Sequence, residues 1–140
     1  MPVTEHSSVQ VVKRERGSKA EDGQEQVLQH DLLVGILQNV AASIFWKDRE
    51  SFFLGCNEQL AKEVGLSSPS EIVGKTDYDL VCTREQADFF RECDRRVMES
   101  GEPMLNIEES QRRPDGGEVV ILTNKVPLRD ATGRITGMLG

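Results

Sequence analysis

The sequence predicts an α+β fold, in which a five-stranded antiparallel sheet carries short helices on one face and follows an N-terminal amphipathic helix. Strand-like runs occur as a pair within residues 43–56 and as a group of three after residue 104, with several helical segments between the two groups. Turn-rich segments join the strands within each group, so neighbouring strands should pair antiparallel while the helices cover one face. A small-molecule pocket is expected between sheet and helices.

The composition is that of an acidic, otherwise ordinary domain. The 140 residues carry a formal net charge of -7, and 37% of them are apolar. A negative surface repels phosphate backbones, so we expect no nucleic-acid partner. No apolar run approaches the roughly 20 residues of a membrane span, and residues 1–25 lack the apolar core of a signal peptide. We therefore expect no membrane insertion and predict a cytoplasmic location.

Cysteine and histidine are too sparse to suggest a metal site. Cys56, Cys82 and Cys93 are odd in number and form no C-x-x-C pair, which argues against a disulfide framework or a zinc knuckle. The histidines are His6 and His30 alone, and that shortage weakens any metal site or histidine-based catalysis. We predict no bound metal.

The first part of the chain divides into a tail and a helix. Residues 1–25 are mostly polar and are predicted to form a flexible tail. Residues 26–42 carry apolar side chains at helical spacing, which form one stripe. The stripe packs on its own domain or pairs with a second copy, and its members are candidates for a dimer interface: Leu28, Leu32, Leu33, Ile36, Leu37 and Val40.

Residues 43–100 begin with a hairpin and continue as helices. The aromatic runs 43–48 and 52–56 flank a polar turn, which indicates a hairpin. Asn57 suits the N-cap of a short helix. A capping box is expected from Ser68 to Glu71. Thr83 should cap the longest helix of the domain, which ends at Gly101.

The last part of the chain is predicted to be β-structure. Apolar and polar residues alternate around residues 105–108, residues 114–117 form a turn, and residues 119–128 form a long strand. A second turn at residues 130–133 leads into a final strand at residues 135–140.

Several short motifs in this order resemble the PAS family over residues 43–140. They are Phe45-Trp46-Lys47-Asp48, Gly55-Cys56-Asn57-Glu58-Gln59-Leu60-Ala61, Gly74-Lys75-Thr76-Asp77-Tyr78-Asp79-Leu80, Pro114-Asp115-Gly116, and Lys125-Val126-Pro127-Leu128-Arg129-Asp130 before Gly133. The resemblance implies a PAS fold and a non-catalytic sensor domain that dimerises. It also implies an output domain in the same polypeptide, a histidine kinase of a two-component phosphorelay or a diguanylate cyclase. The family's last strand usually continues into a linker helix, so the chain is expected to be a fragment of a longer protein.

The cofactors that the family uses are each disfavoured by missing residues, and the cofactor is left unknown. Photoreceptor members carry a cysteine just after the helix-opening asparagine, whereas here Cys56 precedes Asn57. A buried cysteine acting as a small apolar residue fits better than a flavin thiol. Haem-binding members place a histidine near the longest helix, and residues 76–101 contain none.

An independent enzyme is also disfavoured. Asp77, Asp79 and Glu85 are close in sequence, but beside Thr76 and Thr83 they suit capping and helix-dipole compensation better than acid–base chemistry. No nucleophile elbow, P-loop or zinc motif is present.

The pocket is expected to be lined by apolar and amide side chains, and two functions remain open. One is a sensor that binds a small ligand and shifts between two states. The other is a ligand-free interaction module that pairs two subunits. Trp46, Tyr78 and Asn124 carry polar groups that suit ligand contacts. The full set of pocket candidates is Phe45, Trp46, Phe53, Leu60, Val73, Tyr78, Phe90, Val97, Ile107, Val120, Leu122 and Asn124.

Overall fold

The computed structural model describes residues 19–140 and contains one five-stranded antiparallel sheet. The strands are β1 (Phe45–Asp48), β2 (Phe53–Cys56), β3 (Met104–Arg112), β4 (Glu118–Arg129) and β5 (Ile135–Leu139). Their order across the sheet is β2-β1-β5-β4-β3, with antiparallel neighbours throughout. The predicted α+β class and the five-stranded antiparallel sheet are confirmed.

The helices are α1 (Lys19–Asn39), α2 (Glu58–Glu63) and α3 (Arg84–Ser100), with short 3₁₀ helices at Pro69–Ile72 and Asp77–Asp79. Helix α1 begins earlier than predicted. Residues 19–25, which the sequence analysis assigned to the tail, are helical. Glu21 and Asp22 in its first turn complement the helix dipole there. The remainder of the predicted tail, residues 1–18, lies outside the described residues. The described residues separate into two compact units, one that ends at Val34 and one that spans Gly35–Gly140.

Local capping explains where the helices of the second unit begin and end. Asn57 Oδ1 accepts a hydrogen bond from the Leu60 backbone at 3.1 Å and fixes the start of α2. Thr83 and Gln86 form a reciprocal capping box at the start of α3, and Gly101 ends that helix with a left-handed φ of 70°. The capping box predicted at Ser68 does not form, because its hydroxyl bonds to the Ser70 hydroxyl instead.

The core lies between the sheet and the helices in two clusters. One joins β2, α2 and the first 3₁₀ helix through Phe53, Cys56, Leu60, Ala61, Val64 and Ile72. The other joins α3 to β5 through Val97, Met98 and Met138. Among the described residues, no helix has the length and apolarity needed to cross a bilayer.

The side chains of β4 alternate between the two faces of the sheet. Thr123 and Lys125 are buried on one face, where Lys125 contacts Phe90 and Asp94 of α3. Val120 and Leu122 are both 68% exposed on the opposite face. The register of β3 against β4 pairs Glu109 with Ile121, so Glu109 lies on the inner face with Thr123. The alternation of β4 therefore decides which side chains reach the space between sheet and helices.

Candidate functional site

A cavity of about 560 Å³ lies in the second unit, between the inner face of the sheet and the segments 60–64 and 77–90. This volume is in the range of small-molecule sites. Six of the predicted contacts border it: Phe45, Phe53, Leu60, Phe90, Leu122 and Asn124. The side chains of Leu122 and Asn124 lie on the exposed face of β4, so it is the strand backbone at these two positions that borders the cavity. As ligand contacts these residues stay predictions.

The other pocket candidates lie away from this cavity. Val97 is fully buried in the α3–β5 core, and Tyr78 is half-exposed, with its hydroxyl bonded to Asp88. Trp46 is half-buried, and its ring covers Gly55 on the neighbouring strand. The remaining candidates, Val73, Ile107 and Val120, do not line the cavity either.

The polar end of the cavity is a buried ionic cluster that the sequence analysis did not identify. Lys47 Nζ on β1 donates to Asp77 Oδ2 and to Asp94 Oδ2, each at 2.7 Å. The three side chains are at most 7% exposed. Asp94 comes from α3 and Asp77 from the second 3₁₀ helix, so Lys47 ties the sheet to two helical segments.

The second half of the cluster is built on β3 and β4. Lys125 Nζ donates to Asp94 Oδ1 at 2.9 Å and to the Phe90 carbonyl at 3.1 Å. It also lies 3.3 Å from Glu109 Oε1. Thr123 Oγ1 donates to Glu109 Oε2 at 2.9 Å, which holds that carboxylate against the sheet. Asp94 therefore accepts from both lysines and links the two halves.

Carboxylates and aromatic faces surround the side-chain nitrogens of both lysines. Lys47 Nζ lies 4.5 Å from the ring centre of Phe53 and 5.4 Å from that of Phe45. Lys125 Nζ lies 5.7 Å from the ring centre of Phe90. An ammonium over an aromatic face is attracted by the ring quadrupole, more strongly where water is excluded.

Burial and ion pairing act against each other on the pKa values of the cluster. Burial raises the pKa of Asp77 above its ordinary value, and attraction to Lys47 offsets only part of that effect. Burial also acts to raise the pKa of Asp94, but Lys47 and Lys125 together hold it below its ordinary value. For Lys125 burial acts to lower the pKa, and Asp94 and Glu109 hold it above the ordinary value. Asp94 is thus held as the charged centre.

The cluster has more negative than positive groups. It contains two lysines and three carboxylates, so with all five ionised its net charge is -1. Two polar atoms of the cavity lining are buried without a hydrogen-bond partner among the described residues, Glu109 Oε1 and Ser43 Oγ. A buried polar atom without a partner costs free energy unless something else satisfies it. The arrangement is therefore suited to holding a polar ligand group.

The structure places the residues considered for cofactors and catalysis as follows. Cys56 is buried outside the cavity lining, and burial raises the pKa of its thiol to about 11. Cys82 lines the cavity, and burial raises its pKa to about 11 as well. His30 is exposed on α1. No cluster of three or more potential metal ligands occurs within residues 19–140.

The acidic residues predicted to serve capping have different roles. Asp79 accepts hydrogen bonds from the backbone and hydroxyl of Thr76, at 2.8 and 3.0 Å, as capping requires. Asp77 lies in the first turn of the second 3₁₀ helix, as helix-dipole compensation predicts, but its carboxylate pairs with Lys47 and caps no helix, so the capping part of the prediction was wrong for Asp77. The alternation of β4 carried a signal for the cluster, because the face that contains Val119, Ile121 and Thr123 continues to Lys125.

Comparisons with known proteins agree with this geometry. A family model described as the PAS fold matches residues 37–140. Among curated proteins, no sequence matches the chain closely enough to count as a relative.

Three solved structures illustrate the similarity. VqmA bound to DPO is 26% identical with a TM-score of 0.71, and the match covers 77% of this chain and 54% of that one. The Vibrio cholerae VqmA–ligand–DNA complex has the same identity and TM-score, with 77% of this chain and 48% of that one covered. The PAS domain of Bordetella pertussis BvgS is 21% identical with a TM-score of 0.64, covering 80% and 82%. This chain spans about half the length of the VqmA chains.

Proposed function

The chain belongs to the PAS family, and from this premise we propose that it senses a small molecule and regulates a larger signal-transduction protein. PAS domains are sensory modules and are not themselves catalytic. The observation that carries the proposal is the cavity of about 560 Å³, whose lining combines apolar side chains with the buried charged side chains of Lys47, Asp77, Glu109 and Lys125. A core that served only packing would gain by filling this space with apolar side chains.

Ligand binding would reach the rest of the protein through the ionic cluster. Its members come from β1, β3, β4, α3 and a 3₁₀ helix, and β1 and β4 both pair with β5. A ligand that bonds better to one arrangement of these side chains shifts the population toward that arrangement. The central strand β5 is the element through which such a shift would leave the domain.

The output domain is proposed to lie in the same polypeptide, and two kinds of output are considered. The resemblance of the motifs to the family suggested a histidine kinase of a two-component phosphorelay or a diguanylate cyclase. The 26% identity to VqmA favours a DNA-binding output, since a VqmA structure is described as a complex with ligand and DNA. The expectation that nucleic acid is not a partner is not supported by this relative. The cytoplasmic location stays a prediction.

The output is tested on the full-length protein. Autophosphorylation from ATP, synthesis of cyclic di-GMP and retention on DNA are measured side by side, with and without the molecule that the domain retains. Retention on DNA without turnover in either enzymatic assay supports the DNA-binding output. Autophosphorylation supports a histidine kinase as the output domain, and cyclic di-GMP synthesis supports a diguanylate cyclase.

The alternative function is a ligand-free interaction module that pairs two subunits. The observation that favours it is the apolar stripe of α1, where Leu28, Leu32 and Leu33 are each more than 60% exposed. A homodimer is compatible with either function, and VqmA is described as a dimer. In this proposal Leu33→Glu or Leu37→Glu weakens self-association.

Native mass spectrometry of the purified chain, with an absorption scan of the same sample, separates the two functions. A retained small-molecule mass supports the sensor, and a visible band identifies a flavin or a haem. An empty, colourless chain that is chiefly dimeric, and whose melting temperature does not respond to a library of small molecules, supports the interaction module and contradicts the sensor.

A further inference from the structure

Phe45 connects the cavity with both parts of the core. It borders the cavity, and it packs against the β2–α2 cluster as well as against the α3–β5 cluster. Within residues 19–140, no other partly buried apolar residue packs against both clusters. Of the three aromatic residues that border the cavity, Phe53 lies in the edge strand β2 and Phe90 in α3, whereas Phe45 lies in β1, which pairs with β5. Phe45 is therefore the aromatic residue of the cavity that lies next to β5 in the sheet.

The Phe45 ring occupies the space that a side chain at position 140 would need. Gly140 follows β5 and forms a reciprocal backbone pair with Phe45, in which the two N–O distances are 3.0 and 2.9 Å. A Cβ added at Gly140 would collide with Phe45 Cζ and would lie 2.7 and 2.8 Å from the two Cε atoms of the ring. Gly140 does not have a positive φ, so the close approach of the ring, and not the backbone conformation, calls for glycine at this position.

The other neighbours of the Phe45 ring are held in place. The Phe53 ring centre lies 5.7 Å away with the two rings at 62°, and Phe53 is buried in the core. Lys47 Nζ lies 5.4 Å from the centre of the Phe45 ring and is bonded to two buried carboxylates. A close-packed interior transmits a displacement to its neighbours, because it has little free space to absorb one. A molecule that pushes on the ring from the cavity therefore moves it against Gly140, where the neighbour is backbone without a side chain.

We propose that Phe45 couples the cavity to β5: its ring transmits the binding of a small molecule to the end of that strand through the contact with Gly140. This inference rests on the proposed sensory function and names a positioning residue for it. Displacing the ring toward Gly140 strains the reciprocal backbone pair, so a molecule that favours the displaced ring shifts the population toward a loosened end of β5. Because such coupling is reciprocal, a side chain added at position 140 acts back on the cavity through the same ring.

The first experiment tests the contact by urea unfolding of four proteins: the parent, Gly140→Ala, Phe45→Leu and the double variant. Leucine keeps the Cβ, Cγ and Cδ atoms of phenylalanine and lacks the Cε and Cζ atoms that approach Gly140. Gly140→Ala should lower the urea midpoint in the parent and leave it unchanged in the Phe45→Leu background. The comparison within each background removes the loss that Phe45→Leu causes by itself. An equal fall of the midpoint in both backgrounds overturns the contact and the proposal with it.

The second experiment tests the transmission with a larger side chain in place of a bound molecule. Leu80 borders the cavity and packs on the β2–α2 cluster, as Phe45 does, so Leu80→Phe adds volume on the cavity side. The readout is hydrogen exchange of the Gly140 amide, which donates to the Phe45 carbonyl. Exchange should be severalfold faster in Leu80→Phe than in the parent, and Leu80→Phe should have no such effect in the Phe45→Leu background. Leu105→Phe is the matched control, because Leu105 is 61% exposed on β3, and it should leave the exchange unchanged.

The outcomes distinguish this inference from the sensory function. A merely structural role of Phe45 would lower the stability of the Phe45→Leu variants but would leave the response of Gly140 to Leu80→Phe intact, which overturns the coupling. No response of Gly140 to Leu80→Phe in the parent overturns it as well. In both cases a small-molecule mass retained by the native protein leaves the sensor standing, with its signal carried by another element. The native mass spectrum thus decides the sensory function separately from the role of Phe45.

Discussion

Replacing Asp94 with asparagine tests the ionic cluster most directly, because Asp94 is the residue that both lysines share. The side chain is fully buried and accepts one hydrogen bond from Lys47 Nζ and one from Lys125 Nζ. Asp94→Asn keeps the volume, removes the charge and turns an amide nitrogen toward one of the ammonium groups.

The expected loss in free energy of unfolding follows from these contacts. A hydrogen bond to a charged group contributes about 1.5–3 kcal/mol, so two such bonds give about 3–6 kcal/mol. Lys47 keeps Asp77 and Lys125 keeps Glu109 in the variant, which favours the lower end, about 3 kcal/mol. With an unfolding entropy of about 2.1 cal/mol/K per residue over the unit Gly35–Gly140, that corresponds to a fall in melting temperature of about 13 °C.

The assay is urea unfolding followed by circular dichroism, with two comparison variants. Asp77→Asn removes a carboxylate that receives only one of the ammonium bonds described, so it should lose about half as much free energy of unfolding. Glu92→Gln removes an exposed ion pair on α3 and should leave the midpoint close to that of the parent. A loss for Asp94→Asn that is no larger than for Asp77→Asn would refute the central role of Asp94.

The pH dependence of the same variant gives an independent check. The pKa of Asp94 is held below its ordinary value by the two lysines, although burial acts to raise it. A carboxyl with a lowered folded-state pKa stabilises the protein above its unfolded pKa, about 3.9, and that contribution is lost as the pH falls through the folded pKa. The difference between parent and Asp94→Asn should therefore be full at pH 7 and shrink below about pH 4. A difference that is constant down to pH 3 would contradict the assigned charge.

Three further predictions concern the dimer, the sheet and α3. Leu33→Glu should lower the mass measured by light scattering at a fixed concentration, whereas Gln38→Glu, on the other side of α1, should not; equal masses exclude the α1 stripe as the interface. Gly55→Ala should shift the emission of Trp46, the single tryptophan, because a Cβ at Gly55 would collide with the indole ring; an unchanged spectrum contradicts the packing. Thr83→Ala should cost about 1 kcal/mol in urea unfolding by removing the α3 cap, and a change below a few tenths refutes the role of that cap.

The local features were predicted well because they depend on residues close in sequence. The hairpin of β1 and β2, the caps at Asn57 and Thr83, and the end of α3 at Gly101 each follow from short patterns. The prediction of a capping box at Ser68 was wrong, and the cause is also local. The neighbouring Ser70 hydroxyl competes for the hydrogen bond of the Ser68 hydroxyl.

The candidate site was predicted only in part. Apolar residues of β1, β2, α2 and α3 were assigned to the pocket, and Phe45, Phe53, Leu60 and Phe90 do line it. Val120 was assigned to it as well, but it points to the exposed face of β4. Choosing between the two faces of a strand needs knowledge of which face meets the helices, and both faces of β4 begin with apolar residues.

The sequence alone determined the family and the order of the strands and helices. It also determined the caps at the start of α2 and at both ends of α3. These depend on periodicity and on side chains that bond to nearby backbone. Only the tertiary structure decided that Lys47, Asp77, Asp94 and Lys125 meet, because their ion pairs span 30, 47 and 31 residues. A lysine in a strand is usually exposed, and burying it is stable only when carboxylates from distant elements are brought within hydrogen-bond distance. The packing of α3 on the sheet provides that proximity, and with it the polar end of the cavity.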